Sequence, residues 1–163
     1  EKGSVLVGGS AAITRTTSGS GATEVTSSNI FLNPRALFFV AHRVGIGGDV
    51  SLGRSSSAGR SSSGIGVGPA IRYYLVPAER SALPYLGAAF RVQRSTSESS
   101  TGNDVSSTAR EFEGVLGVDF MISRQVGIVA EAFASKLTRG SGPFDADATA
   151  IGVRFGIDAF FLR

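Results

Sequence analysis

Eight stretches of the chain place large apolar residues at every second position, with Gly, Ser, Ala or a charge between them. In the first, Val5, Val7, Gly9, Ala11 and Ile13 share one face, and Leu6, Gly8, Ser10 and Ala12 the other. The second places Ile30, Leu32, Pro34, Ala36 and Phe38 opposite Asn33 and Arg35. The third places Val44, Ile46, Val50 and Leu52 opposite Gly45, Gly47, Asp49 and Ser51. The fourth sets Ile65, Val67, Ile71, Tyr73 and Leu75 against Gly66, Gly68, Ala70 and Arg72. The fifth sets Leu86, Ala88, Phe90 and Val92 against Tyr85, Gly87 and Arg91. The sixth opposes Phe112, Leu116, Val118 and Phe120 to Glu111, Glu113, Gly117 and Asp119. The seventh opposes Val126, Ile128, Ala130 and Ala132 to Gly127, Glu131 and Ser135. The eighth opposes Ile151, Val153, Phe155, Ile157 and Phe161 to Gly152, Arg154, Gly156 and Asp158. Period-two alternation is the signature of a strand with two unlike faces. Every central charge falls on the non-apolar parity, so one face suits lipid and the other a filled interior.

The expected fold is therefore all-β, an eight-stranded antiparallel up-and-down transmembrane β-barrel, with residues 1–163 as one outer-membrane barrel domain. The connections alternate in length. Residues 15–28, 54–63, 94–109 and 137–147 read as long loops rich in Ser, Thr and Gly. Short turns are expected near Ala41–His42, Pro77–Ser81 and Ser123–Arg124. Long extracellular loops with short periplasmic turns are the habit of such barrels, so both termini are expected in the periplasm. Pro34 and Pro69 fall inside strands and cannot donate to a ladder. They require either a bulge or a locally open ladder bond. The run Leu32–Phe39 resembles Val67–Tyr74, and both end in paired aromatics beside a short turn, as a membrane-interface girdle would.

Composition agrees. The 163 residues are 42% apolar and 18% charged. No apolar run reaches the roughly 20 residues that a membrane-spanning helix needs. Cysteine is absent, which excludes disulfides and thiolate metal sites. The net charge of +3 is carried almost wholly by scattered arginines, a poor match to a nucleic-acid surface. Glu1 is expected to be a mature start left by removal of a signal peptide.

The predicted interior collects Arg35, Arg72, Arg91 and Arg154 with Asp49, Glu111, Glu113, Asp119, Glu131 and Asp158. An eight-stranded barrel is just wide enough for side chains to fill. Ions inside it must pair or meet trapped water, because isolated buried charge is very costly. The expectation is a salt-bridged plug; the alternative use of the same residues is a narrow proton or ion path. Glu111 and Glu113 also have the composition of an acid–base pair. Gly64-x-Gly66-x-Gly68 and Gly45-x-Gly47-Gly48 lack the following helix that a phosphate loop requires. No Ser/His/Asp or metal-ligand spacing is present, so neither a catalytic set, a metal nor a cofactor is assigned.

Gly8-Gly9-Ser10, Leu32-x-Pro34, Gly68-Pro69-x-x-Arg72-Tyr73-Tyr74, Pro84-Tyr85 and Ala130-Glu131-Ala132 together resemble the OmpA/OmpX-type outer-membrane β-barrel domain family. The resemblance spans nearly the whole chain and implies a Gram-negative bacterial outer membrane, with no particular activity. Members often end on an aromatic residue; here Phe160 and Phe161 are followed by Leu162 and Arg163. Lipid-A-modifying barrels of this fold place a His and a Ser near the outer leaflet, whereas His42, the only histidine, falls in a predicted periplasmic turn.

Arg15, Arg54, Arg60, Arg94, Arg110 and Arg139 fall in or beside the expected long loops. Arginine suits bidentate contact with phosphate, which makes lipopolysaccharide their expected ligand. The expected role is non-enzymatic and structural or interactive: membrane integrity, surface adhesion, or a subunit of a larger envelope assembly. The expected partners are outer-membrane lipid, lipopolysaccharide and a protein of the envelope. A small pore is the first rival, and a lipid-active enzyme the second. A soluble lipocalin-like binder comes last, because its solvent face would carry Gly and Ala in place of the usual Lys and Glu.

Overall fold

The computed structural model describes residues 2–18, 25–57, 60–77, 80–98, 105–139 and 146–161. Eight strands follow one another: β1 (Val5–Ser18), β2 (Val25–Ala41), β3 (Val44–Ser57), β4 (Arg60–Tyr74), β5 (Ala82–Glu98), β6 (Val105–Met121), β7 (Val126–Arg139) and β8 (Ala146–Phe161). Each pairs antiparallel with its sequence neighbours, and β1 meets β8 to close the barrel. Large apolar side chains at the alternating positions, from Val7 and Leu32 to Phe155 and Ile157, are exposed around the outside. They form the belt that a bilayer would cover, as the parity requires.

The strands run well past the apolar belt. The segments 15–28, 54–63, 94–109 and 137–147, expected as long loops, are strand at every described residue. Ser56 pairs with Ser61, and Ser95 with Ser107, in unbroken ladders. Backbone hydrogen bonds need no apolar side chain, so Ser- and Thr-rich segments stay paired beyond the apolar belt although their hydropathy reads as loop. At the opposite rim the connections are short: His42–Arg43, 75–81 and Ile122–Gln125. The Ser123 hydroxyl accepts from the Gln125 and Val126 amides at 3.2 and 3.0 Å, which pins the last of these turns. The first and last strands are tied to this same rim, where the Gly3 amide donates to the Phe39 carbonyl (2.8 Å) and the Phe160 amide to that of Gln125 (2.6 Å).

Both prolines open the ladder without a bulge. Along β2–β3, pairing stops after Leu32–Leu52 and resumes in the same register at Arg35–Asp49. Along β4–β5 it stops after Val67–Val92 and resumes at Ala70–Ala89. On their other sides Pro34 faces Gly9 and Pro69 faces Gly48. The missing N–H thus costs one interrupted stretch per proline and leaves the alternation intact.

The β1–β8 seam is paired only from Val5–Phe161 to Ala11–Phe155. Beyond it, Ala12–Ser18 pairs only with β2 and Ala146–Arg154 only with β7. The outward side chains there reflect the missing neighbour: Ile13 is 78% and Ile151 82% exposed, against 47% for Val7 in the paired half.

Candidate functional site: the packed lumen

The inward parity brings ten charged side chains into the barrel, all buried: Arg35, Asp49, Arg72, Arg91, Glu111, Glu113, Asp119, Glu131, Arg154 and Asp158. They form one connected stack. Toward the long-hairpin end, the Arg91 guanidinium donates to Asp49, to Glu111 (3.0 Å) and through two nitrogens to Glu113 (2.9 and 3.2 Å). Gln93 adds a donor to Glu111 at 2.5 Å. At mid-height, Arg154 donates to both oxygens of Glu113 (2.9 and 2.8 Å) and through Nε to Glu131.

Glu131 is the hub. Its Oε1 accepts from Arg35 (2.5 Å), Arg72 (3.2 Å) and the Tyr85 hydroxyl (2.5 Å). Its Oε2 accepts from Ser10 (3.2 Å) and Arg154. Toward the short-turn end, Arg72 Nη1 donates to Asp158 (2.5 Å), to Asp119 (3.3 Å) and to the Tyr74 hydroxyl (2.9 Å). Tyr74 in turn donates to Asp119 at 2.5 Å. Arg72 also lies 3.8 Å from the centre of the Tyr85 ring, a desolvated cation–π contact.

Sequence reasoning did not find what lies below the ions. Leu6, Leu37, Phe39, Tyr74, Leu83, Tyr85, Val129 and Phe160 pack into an apolar cluster inside the short-turn end. Phe39, Tyr74 and Phe160 have ring centroids 5.8–6.4 Å apart, within the range of aromatic packing. The paired aromatics read as an interface girdle are therefore split by parity. Phe38, Tyr73 and Phe161 face outward, while Phe39, Tyr74 and Phe160 plug the lumen. The signal was present in the doublets, since consecutive strand residues cannot share a face. A cavity of about 20 Å³ between Arg35, Asp49, Arg72, Tyr85, Glu113 and Arg154 has room for roughly one water.

The six arginines expected in or beside the long loops all lie in strands. The side chains of Arg15, Arg60 and Arg139 fall outside the described set; their backbones pair with Ser28, Ser57 and Ala109. Arg54, Arg94 and Arg110 are exposed, each the first outward position beyond the apolar belt, after Leu52, Val92 and Phe112. Lys136, which the sequence reading passed over, is exposed in the same place on β7, and Arg15 holds the corresponding position on β1. The other three strands carry Ser28, Ser63 and Thr149 there. The belt is thus bordered at its long-hairpin end by cations and hydroxyls, without an acid. His42 is exposed in the turn at the opposite rim. Among the described residues, no group of three or more His, Asp or Glu is placed to hold a metal ion.

Solved structures share this architecture. The Neisserial surface protein A (NspA) superposes with a TM-score of 0.66 at 18% identity, covering 97% of this chain and 99% of that one. The outer membrane protein OprG of Pseudomonas aeruginosa gives 0.59 at 12% identity over 99% and 97% of the two chains. The N-terminal barrel domain of P. aeruginosa OprF gives 0.55 at 14% over 98% of each. At such identities the likeness is one of fold. No curated protein sequence matches the chain. Residues 1–158 match the family model described as the outer membrane protein beta-barrel domain, so the chain belongs to that family of bacterial outer-membrane barrels.

Proposed function

We propose that this barrel is a non-enzymatic element of the outer membrane, acting in membrane integrity, surface adhesion or as a subunit of an envelope assembly. The packed lumen carries that reading. Four arginines and six carboxylates cross-brace the interior, and an aromatic–aliphatic plug lies beneath them. A pore would need a continuous water path through both. An acid–base site would need a free carboxyl, whereas Glu111 and Glu113 both accept from Arg91. The test is a planar-bilayer recording on the refolded protein. A flat baseline is expected across the voltage range; reproducible single-channel steps would refute the closed lumen.

The cationic border supports an orientation and a lipid partner. Arg54, Arg94, Arg110 and Lys136 flank the belt on the long-hairpin side, where phosphates of lipopolysaccharide would lie if that side faces outward. In this reading the long hairpins are extracellular and both termini periplasmic. Replacing these four residues with Ser is expected to weaken lipopolysaccharide retention at least tenfold without changing detergent refolding. Unchanged retention would remove the assignment.

A further inference from the structure

The charge inside the barrel does not balance, and the imbalance can be localised. The central pair of arginines, Arg35 and Arg154, is matched by Glu113 and Glu131. That leaves Arg91 with Asp49 and Glu111 at one end, and Arg72 with Asp119 and Asp158 at the other. Each end therefore holds one carboxylate too many. At the Arg91 end the excess meets solvent, because the Glu111 side chain keeps 12% of its surface exposed. At the Arg72 end it does not. Asp119 and Asp158 are both fully buried, and the apolar cluster of Phe39, Tyr74 and Phe160 lies between them and the rim.

Two further observations fall on this pair. Both carboxylates direct their Oδ2 atoms at the same guanidinium nitrogen, Arg72 Nη1. The Oδ1 atom of each is buried with no hydrogen-bond donor. Other charged or titratable groups against the site are the Tyr74 hydroxyl, which donates to Asp119, the Tyr85 ring over Arg72, and Glu131, which takes the other Arg72 nitrogen. Among the described residues none of these supplies a second positive charge; Arg35, one layer up, is bound to Glu131. Two carboxylates facing a single cation in a water-poor site cannot both remain ionised cheaply.

We propose that Asp119 and Asp158 form a proton-binding site. The pair takes up one proton from water as the barrel folds, so that at neutral pH it carries one negative charge opposite Arg72. The held proton removes one of the two buried charges, at carboxylates whose Oδ1 atoms have no donor. A metal ion fits less well, because the described residues offer no third carboxylate or imidazole in a metal-binding group.

Infrared spectroscopy of the folded protein in lipid vesicles tests this, with an isotope label at the aspartate side-chain carboxyl carbon. The expected result is a protonated-carboxyl band at neutral pH that shifts with the label and is lost in both Asp119→Asn and Asp158→Asn. The amide band in the same spectra reports whether each variant has folded. Absence of a label-sensitive acid band in the folded wild type would overturn the proposal, and that arm needs no variant. So would a band that survives both substitutions, which would place the proton elsewhere. A band that appears only when sodium is replaced by a bulky organic cation would show that an alkali ion, not a proton, neutralises the pair.

Discussion

Replacing Glu131 by Gln should be among the most damaging conservative changes in the barrel, and the structure says which partner suffers. Five donors converge on this carboxylate. Gln keeps the shape but removes the charge and turns one acceptor oxygen into a donor amide that faces other donors. Arg154 retains both oxygens of Glu113, and Arg72 retains Asp119 and Asp158. Arg35 keeps only neutral acceptors, the Ser10 hydroxyl at 3.1 Å and at best the Gln carbonyl oxygen, and its Nε already lacks a partner. One buried guanidinium is thereby left uncompensated, at a cost of about 3–5 kcal/mol. That corresponds to roughly two to four orders of magnitude in the folding equilibrium.

The converse change, Arg35→Met, leaves Glu131 with Arg72, Arg154, Tyr85 and Ser10. It should cost less, about 1.5–3 kcal/mol, the scale of one charge-assisted hydrogen bond. The double variant removes the stranded cation and should be more stable than Glu131→Gln alone, an interaction that a double-mutant cycle isolates. Urea titration of vesicle-refolded protein, followed by far-ultraviolet circular dichroism because the chain has no Trp, measures all four corners. A Glu131→Gln loss below about 1 kcal/mol, or a double variant weaker than both singles, would refute Arg35 as the stranded partner.

Two further outcomes follow from the seam. Gly156→Ala should destabilise the barrel by about 1–3 kcal/mol, the usual cost of overpacking. A β-carbon there would stand 2.7 Å from Ser10 Cα across β1, and an unchanged urea midpoint would contradict that crowding. Hydrogen–deuterium exchange should be faster over residues 149–154 of β8 than over 155–161, because only the latter pair with β1. Equal protection along the strand would mean that the seam is zipped throughout.

The sequence alone determined the class of fold and the inside–outside division of each strand. Both rest on a local fact: consecutive side chains of a strand point to opposite faces, so one wrong residue of register would drive charges into lipid. Arg72, Arg91 and Glu131 had to share a lumen because each is flanked by apolar neighbours that had to leave it. Strand length was illegible, because Ser-rich strand ends such as Ser55–Ser57 and Arg60–Ser62 are held by backbone bonds to which hydropathy is blind. Tertiary structure alone decided which ions meet. Glu131 on β7 joins Arg35 on β2 and Arg72 on β4, and Asp119 on β6 and Asp158 on β8 meet at Arg72, through the tilt and stagger of strands that pair only with their neighbours. It also decided that Phe39, Tyr74 and Phe160, the doublet members that the alternation turns inward, pack on one another as a plug, because strand stagger sets which inward residues share a height.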